Sequence, residues 1–339
     1  MMLNEFVDIT LFSRVGQFFM YGLFGIGVLL GGSGLVNLVW PRPVAERTTM
    51  RMLVAINLLF MAGFLWICRL HYQIYCYLPL ELSEFLAGWF NHHIQGSGMP
   101  LVAASAPVRY TVPLWIENEK YYFWFMGYGM MSLAAHLRIS RYRLRALLHI
   151  MLSAQVLFLF FWLDPFSRPL PGFFSEVQPW FTGSQTAMER LRLFMQLYPR
   201  MIYYYNAAYM WIHPPMLFLS YACITVTFAT SVFMLFVRDV TVENTGYVFA
   251  KLGFVLLTLG MLLGYPWALQ AWGENWWWDP KVCSSIMMWS IYSTYLHARL
   301  YAVRAGMWYF TSVMGILCFV AMVFTLLSSL YFPGEHSLQ

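Results

Sequence analysis

Charge is scarce in this chain. Only 10% of its 339 residues are Asp, Glu, Lys or Arg, against roughly 25% in soluble domains. So few charges cannot cover a water-facing surface, and a soluble globular fold is excluded. Cysteine is scarce too. Cys68, Cys76, Cys223, Cys283 and Cys318 form no C-x-x-C pair, which removes a dithiol redox motif and a zinc knuckle. There is no C-x-x-C-H site either, so the chain carries no covalent haem attachment site of its own. Cys68 and Cys76 remain candidates for a disulfide in an oxidising compartment. No Lys- or Arg-rich tract points to nucleic acid. No basic region followed by an apolar run and a cleavage site marks a removable signal peptide.

What is present is apolar and aromatic. Hydrophobic residues make up 60% of the chain and aromatics 19%, and the mean hydropathy is +0.59. A bilayer resolves this composition, because helices there can be apolar all round. The expected fold class is an all-α integral membrane protein. At about 20 apolar residues per crossing, eight spans are read near 16–40, 52–70, 122–137, 144–163, 209–237, 248–270, 284–299 and 307–331. The third and seventh are short and aromatic.

The short loops orient these spans. Arg42, Arg47 and Arg51 follow the first, and Arg138, Arg141, Arg143 and Arg145 follow the third. Arg238 and Lys251 follow the fifth, and Arg299 and Arg304 the seventh. Alternate connections are therefore basic, and the positive-inside rule places them in the cytoplasm or its equivalent. Both termini are then expected on the outer, periplasmic or lumenal, side. The outer side also receives the connections 71–121 and 164–208 and the segment 271–281.

That last segment is the most unusual. Trp267, Trp272, Trp276, Trp277 and Trp278 fall within a dozen residues, with Gly273, Asn275, Asp279, Pro280 and Lys281 among them. An interfacial tryptophan belt accounts for the indoles but not for Gly273, Asn275, Asp279 or Pro280. A large flat apolar ligand accounts for the concentration in one loop. Indole faces stack on a porphyrin, and indole N–H groups or a lysine meet its propionates. Iron then needs axial ligands, and histidine is the usual one. Of eight histidines, His213 opens the fifth span in His213-Pro214-Pro215, and His336 follows the eighth. Both are expected at the depth of the tryptophan segment. His297 and His136 end the seventh and third spans at the opposite face and form a candidate inner pair. His149 and His71 are alternatives, and His92 and His93 are peripheral ligands or plain surface residues. A single histidine is more often an ordinary polar residue than a ligand.

The stretch W-G-x-x-W-x-W-D-P from Trp272, followed by Tyr295-Leu296-His297-Ala298-Arg299, resembles the haem-handling, tryptophan-motif family of cytochrome c biogenesis proteins. The run from Lys251 to Gly264 looks like the span preceding this motif in the CcsA/ResC branch, as does His336-Ser337 after the last span. Val282 stands where CcsA proteins usually have glutamate. His213-Pro214-Pro215 and Asp164-Pro165-Phe166 look more like the CcmF/NrfE branch. The resemblance covers roughly 205–339. It implies an N-terminal membrane region with an outer loop over 1–120 and a haem-handling domain over 121–339. It further implies a subunit of a cytochrome c synthase, working with a CcsB/ResB-type partner. Such a complex moves haem b outward in a bacterial inner or equivalent energy-transducing membrane and presents it to the C-x-x-C-H motif of an apocytochrome c. On this reading His213 and His336 are the outer axial ligands, and Trp276–Asp279 form a porphyrin shelf. His297 belongs to an inner site, where His136 is a geometric choice of second ligand. The rival readings are a CcmC-type haem transporter, a diheme quinol-oxidising subunit and a haem-free transporter or structural subunit.

Overall fold

A computed structural model describes residues 7–40, 43–103, 106–182, 185–301 and 307–334. Among them there is no strand, only one bridged pair, Leu80 and Val108. Eleven α-helices carry the architecture. They are α1 (Ile9–Val39), α2 (Pro43–Tyr77), α3 (Glu84–Ile94), α4 (Glu119–Arg138), α5 (Tyr142–Trp162), α6 (Pro171–Phe181), α7 (Ala187–Arg200), α8 (His213–Phe236), α9 (Val240–Trp272), α10 (Pro280–Arg299) and α11 (Met307–Tyr331).

Six of these, α1, α2, α5, α8, α9 and α11, contain stretches long and apolar enough to cross a membrane, which makes the chain an integral membrane protein. The third and seventh expected spans also form helices, α4 and α10, of 20 residues each. Their polar and aromatic content sets them apart, although 20 residues rise about 30 Å, the thickness of a hydrocarbon core. Helix α2 runs past the expected boundary at 70 to Tyr77. It buries His71, whose Nδ1 lies 2.9 Å from the Val112 carbonyl.

A Cys68–Cys76 disulfide does not form, and all five cysteines are free. Eight positions apart on one helix is a rise of about 12 Å, beyond the reach of a disulfide.

Helix α8 lies at the centre, packed by α9, α4, α11 and α5, while α1 packs on α5 and α2. Lipid gives apolar helices no hydrophobic reason to associate, so close backbone approach and hydrogen bonds must do so. Ser220 Oγ accordingly donates to the Gly253 carbonyl across the α8–α9 seam at 2.7 Å.

At one end of the bundle, arginines from the basic connections tie helix ends together. Arg141 pairs with Asp239 at 2.5 Å, Arg145 with Glu46, and Arg299 with the buried Glu243. At the other end, α3, α6 and α7 with their loops build a folded layer. Asn206 holds two of its strips together, accepting from Thr111 N at 2.8 Å and donating to the Arg109 carbonyl at 2.9 Å. Glu117, whose φ is +49°, accepts from Gly172 N and Phe173 N at 3.0 and 2.9 Å. It thereby satisfies exposed donors at the start of α6.

Candidate functional site

The chamber lies beneath that layer, where α8 begins, α9 ends and α10 begins. Its cavity is about 250 Å³, and its walls include His213, Trp267, Trp272, Trp276 and Lys281. Five residues expected to bind one ligand are therefore brought together.

Local sequence explains each position. His213 opens α8, and Pro214 and Pro215 follow in its first turn, where proline's missing N–H costs nothing. The imidazole is fixed by α9, its Nδ1–H donating to the Gly260 carbonyl at 2.6 Å. A carbonyl only accepts, so Nδ1 carries the proton and Nε2 the lone pair. Metal-binding histidines are commonly oriented by such a bond. Gly264 makes room for the ring. A Cβ there would sit 2.5 Å from His213 Cε1 and 2.7 Å from Nδ1.

Trp267 stands beside His213 with ring centroids 6.2 Å apart. Its indole N–H donates to the Tyr203 carbonyl at 2.8 Å, pinning the end of α9 to the outer layer. Trp272 meets Trp267 edge-on at 4.6 Å, and Trp276 meets Tyr265 edge-on at 5.1 Å.

The other residues of the tryptophan segment have different places. Gly273, at φ +75°, ends α9 in a conformation that only glycine adopts freely. Asp279 is buried and caps α10, its Oδ1 accepting from Lys281 N at 2.9 Å and Val282 N at 3.3 Å. Pro280 is the first residue of that helix. Backbone geometry thus accounts for Gly273, Asp279 and Pro280, which a membrane belt left unexplained. Trp277 and Trp278 stack on each other at 4.3 Å. They do so on the outside of the chamber, 48% and 67% exposed.

Two lysines line the chamber, and both precede the apolar spans of their helices. Burial pushes Lys281 down to about 8, with the Lys120 charge adding to the shift and Asp279 opposing it. Burial also lowers Lys120, against the pull of Glu119 and Glu117. Glu119 is itself pushed up to about 8 by burial. Lys120, Tyr121, Tyr204 and Tyr265 also line the cavity and were missed in the sequence. Their one signal was the concentration of charge in Glu117-Asn118-Glu119-Lys120, unusual in so apolar a chain.

His336 lies outside the described residues. Gly334, two positions earlier, is described. A Cβ on it would touch Asp279 Oδ2 at 2.5 Å and Pro280 Cδ at 2.8 Å, so the chain leaving α11 passes against the start of α10.

The inner histidines are arranged differently from the sequence expectation. His136 meets His149, not His297. His136 Nδ1 is 3.1 Å from His149 Nε2, and both rings are buried. The cavity beside them, bounded by Glu46, Tyr142 and Arg145, is about 10 Å³, enough for a water and far too small for a porphyrin. His297 is exposed on α10, its Nδ1–H donating to the Ser293 carbonyl at 2.8 Å. His92 and His93 end α3, with His93 stacked on Trp89 at 5.6 Å.

One imidazole, four indoles and two lysines thus line a single chamber at one end of the bundle of a helical membrane protein. The family to which it belongs follows from comparison. The profile of the family described as Cytochrome C assembly protein matches residues 115–336, and the chain is a member of that family. The resemblance read from the tryptophan motif is borne out.

Among curated proteins, it is 47% identical over 60 residues to the cytochrome c biogenesis protein CcsA of Cyanidium caldarium. That alignment covers 18% of this chain and 20% of the relative. It is 44% identical over 77 residues to CcsA of Picosynechococcus, covering 23% of this chain and 22% of the relative. The matched segments therefore span about a fifth of each relative. Among solved structures, the cytochrome c haem lyase CcmF shares the fold, with a TM-score of 0.62 at 19% identity. The match covers 96% of this chain and 47% of CcmF, so the chain spans about half that protein's length.

Proposed function

We propose that this chain is the membrane subunit of a cytochrome c synthase, which holds haem b in the chamber and presents it for covalent attachment to an apocytochrome c. One observation carries the reading. His213, oriented through its Nδ1–H, stands among four indoles and two lysines in one chamber. A cavity of about 250 Å³ is just below the roughly 300–1,000 Å³ of small-molecule sites. It therefore suits part of a macrocycle whose remaining edge stays accessible, which is what presentation requires.

In this reading all eight long helices cross an energy-transducing membrane, with both termini and the chamber on the outer side. The arginine pairs at the opposite end agree with a cytoplasmic face. His213 and His336 are the exchangeable axial ligands, and the close approach of Gly334 to Asp279 supports the second. Trp267, Trp272 and Trp276 flank the porphyrin, and Lys281 meets a propionate. Gly273 and Asp279 set the shape of the loop, and Trp277 and Trp278 face the arriving client. His297 is an inner-face ligand completed by a CcsB/ResB-type partner, since His136 is engaged with His149.

The reaction adds two thiols of the C-x-x-C-H motif across the two haem vinyl groups. In each addition the S–H bond and the π bond of the vinyl group are replaced by a C–S and a C–H bond. The nucleophiles belong to the substrate, so the chain contributes positioning, and one axial histidine must yield to that of the client.

Co-expression with a reporter apocytochrome and a ResB-type partner tests this. Covalent haem on the reporter, lost in His213→Ala, is the expected result. Haem bound to the chain without covalent product identifies a CcmC-type carrier. Colourless protein under haem-replete conditions overturns both.

A further inference from the structure

We infer that Lys120 and Lys281 together form a cradle for two carboxylates. The chamber then selects a flat apolar ligand by its pair of anionic groups and discriminates against the same ligand with those groups esterified. This rests on the haem reading and goes beyond it, because only one lysine was expected from the sequence.

The two side chains come from different helices, one from the start of α4 and the other from the start of α10, and both line the cavity. They are close enough for the Lys120 charge to act on Lys281. Two ammonium groups sharing a desolvated space repel each other, and an anion between them relieves that repulsion. Among the described residues no ion pair within 4 Å joins either lysine to Asp or Glu. Glu117 also lines the cavity, but its oxygens accept from Gly172 N and Phe173 N. Asp279 accepts from the backbone at the start of α10. Glu119 lies buried beside Lys120 and opposes, without cancelling, the lowering that burial imposes on that lysine. Trp272 and Trp276 line the same cavity. A ligand matching this outline has an apolar plane and two carboxylates on one edge.

The test uses the purified full chain in lipid nanodiscs, titrated with iron-free protoporphyrin IX and with its dimethyl ester. Binding is read from tryptophan quenching and porphyrin emission. The diacid is expected to bind at least about tenfold more tightly than the diester, in line with one or more charge-assisted hydrogen bonds. Lys120→Gln should weaken the diacid about tenfold and leave the diester unchanged, and Lys120→Arg should restore the preference. Thermal melts of both variants establish that they fold.

Equal affinity of the wild type for diacid and diester overturns the cradle, and so does an equal loss of both in Lys120→Gln or binding of neither. Failure of the haem reading has a different signature. Selectivity for the diacid then persists while ferric haem gives no His213-dependent Soret shift.

Discussion

Gly264→Ala is the smallest change that reaches the proposed iron ligand. The added methyl carbon would lie 2.5 Å from His213 Cε1, 2.7 Å from Nδ1 and 3.1 Å from Nε2. Carbon contacts are comfortable at about 3.5–4.0 Å, so the ring must retreat by about 1 Å or the seam between α8 and α9 must open. Either response strains the 2.6 Å bond to the Gly260 carbonyl. Overpacking costs about 1–3 kcal/mol, and a weakened hydrogen bond about 1 kcal/mol more. The expected outcome is a loss of haem affinity of about tenfold or more, with an altered ferric spectrum and a melting temperature a few degrees lower. Gly246→Ala is the matched control. It also crowds α8 from α9, against Thr230, but away from the imidazole. Its haem spectrum should match wild type. If both variants lost haem equally, or if Gly264→Ala kept a wild-type spectrum and affinity, the imidazole would not be the group that glycine serves.

Asp279→Ala should lower the melting temperature by removing a helix cap worth about 1 kcal/mol, while Asp279→Asn, also a good cap, should keep both stability and haem content. Haem affinity of the wild type should fall as pH rises through about 8, because Lys281 loses its proton there and with it the attraction for a carboxylate. Lys281→Gln should bind more weakly and show a flatter pH profile. Glu119 is pushed up to about 8 by burial, so the folded chain holds its proton more tightly than the unfolded one. Its contribution to stability is full below about 4.5 and is lost as pH rises through about 8. Thermal melts of Glu119→Gln across that window should be flatter than those of wild type. Trp277→Ala with Trp278→Ala should leave haem affinity within about threefold, since both rings lie outside the chamber, yet reduce transfer to a client.

The helices were legible because membrane composition dominates everything else in this chain. Helices stand at all eight expected positions, six of them long and apolar enough to cross a membrane, and α4 and α10 differ for a visible reason, their tyrosines, serines and histidines. The candidate site was legible in part. Trp267, Trp272, Trp276, His213 and Lys281 converge, and all had been named. Which indoles face inward could not be read from their number. Gly273–Trp278 is a 3₁₀ turn, where three residues complete a turn, so Trp276 can face the chamber while its two neighbours face away. Lys120 was missed because nothing local reports that the start of α4 packs near the start of α10. His136 was a geometric choice of partner for His297 made on depth, and depth says nothing about facing. His136 turns towards α5.

The chamber walls are contributed by segments far apart in the chain, the start of α4, the start of α8, the end of α9 and the start of α10. During synthesis Lys120 and the outer layer emerge first, His213 later, and Lys281 only when α10 has begun. A nascent chain therefore offers no complete site until most of its spans have been made. On the proposed reading, competence to take up haem is a late property of biogenesis, withheld from the partially inserted protein by the order of its own sequence.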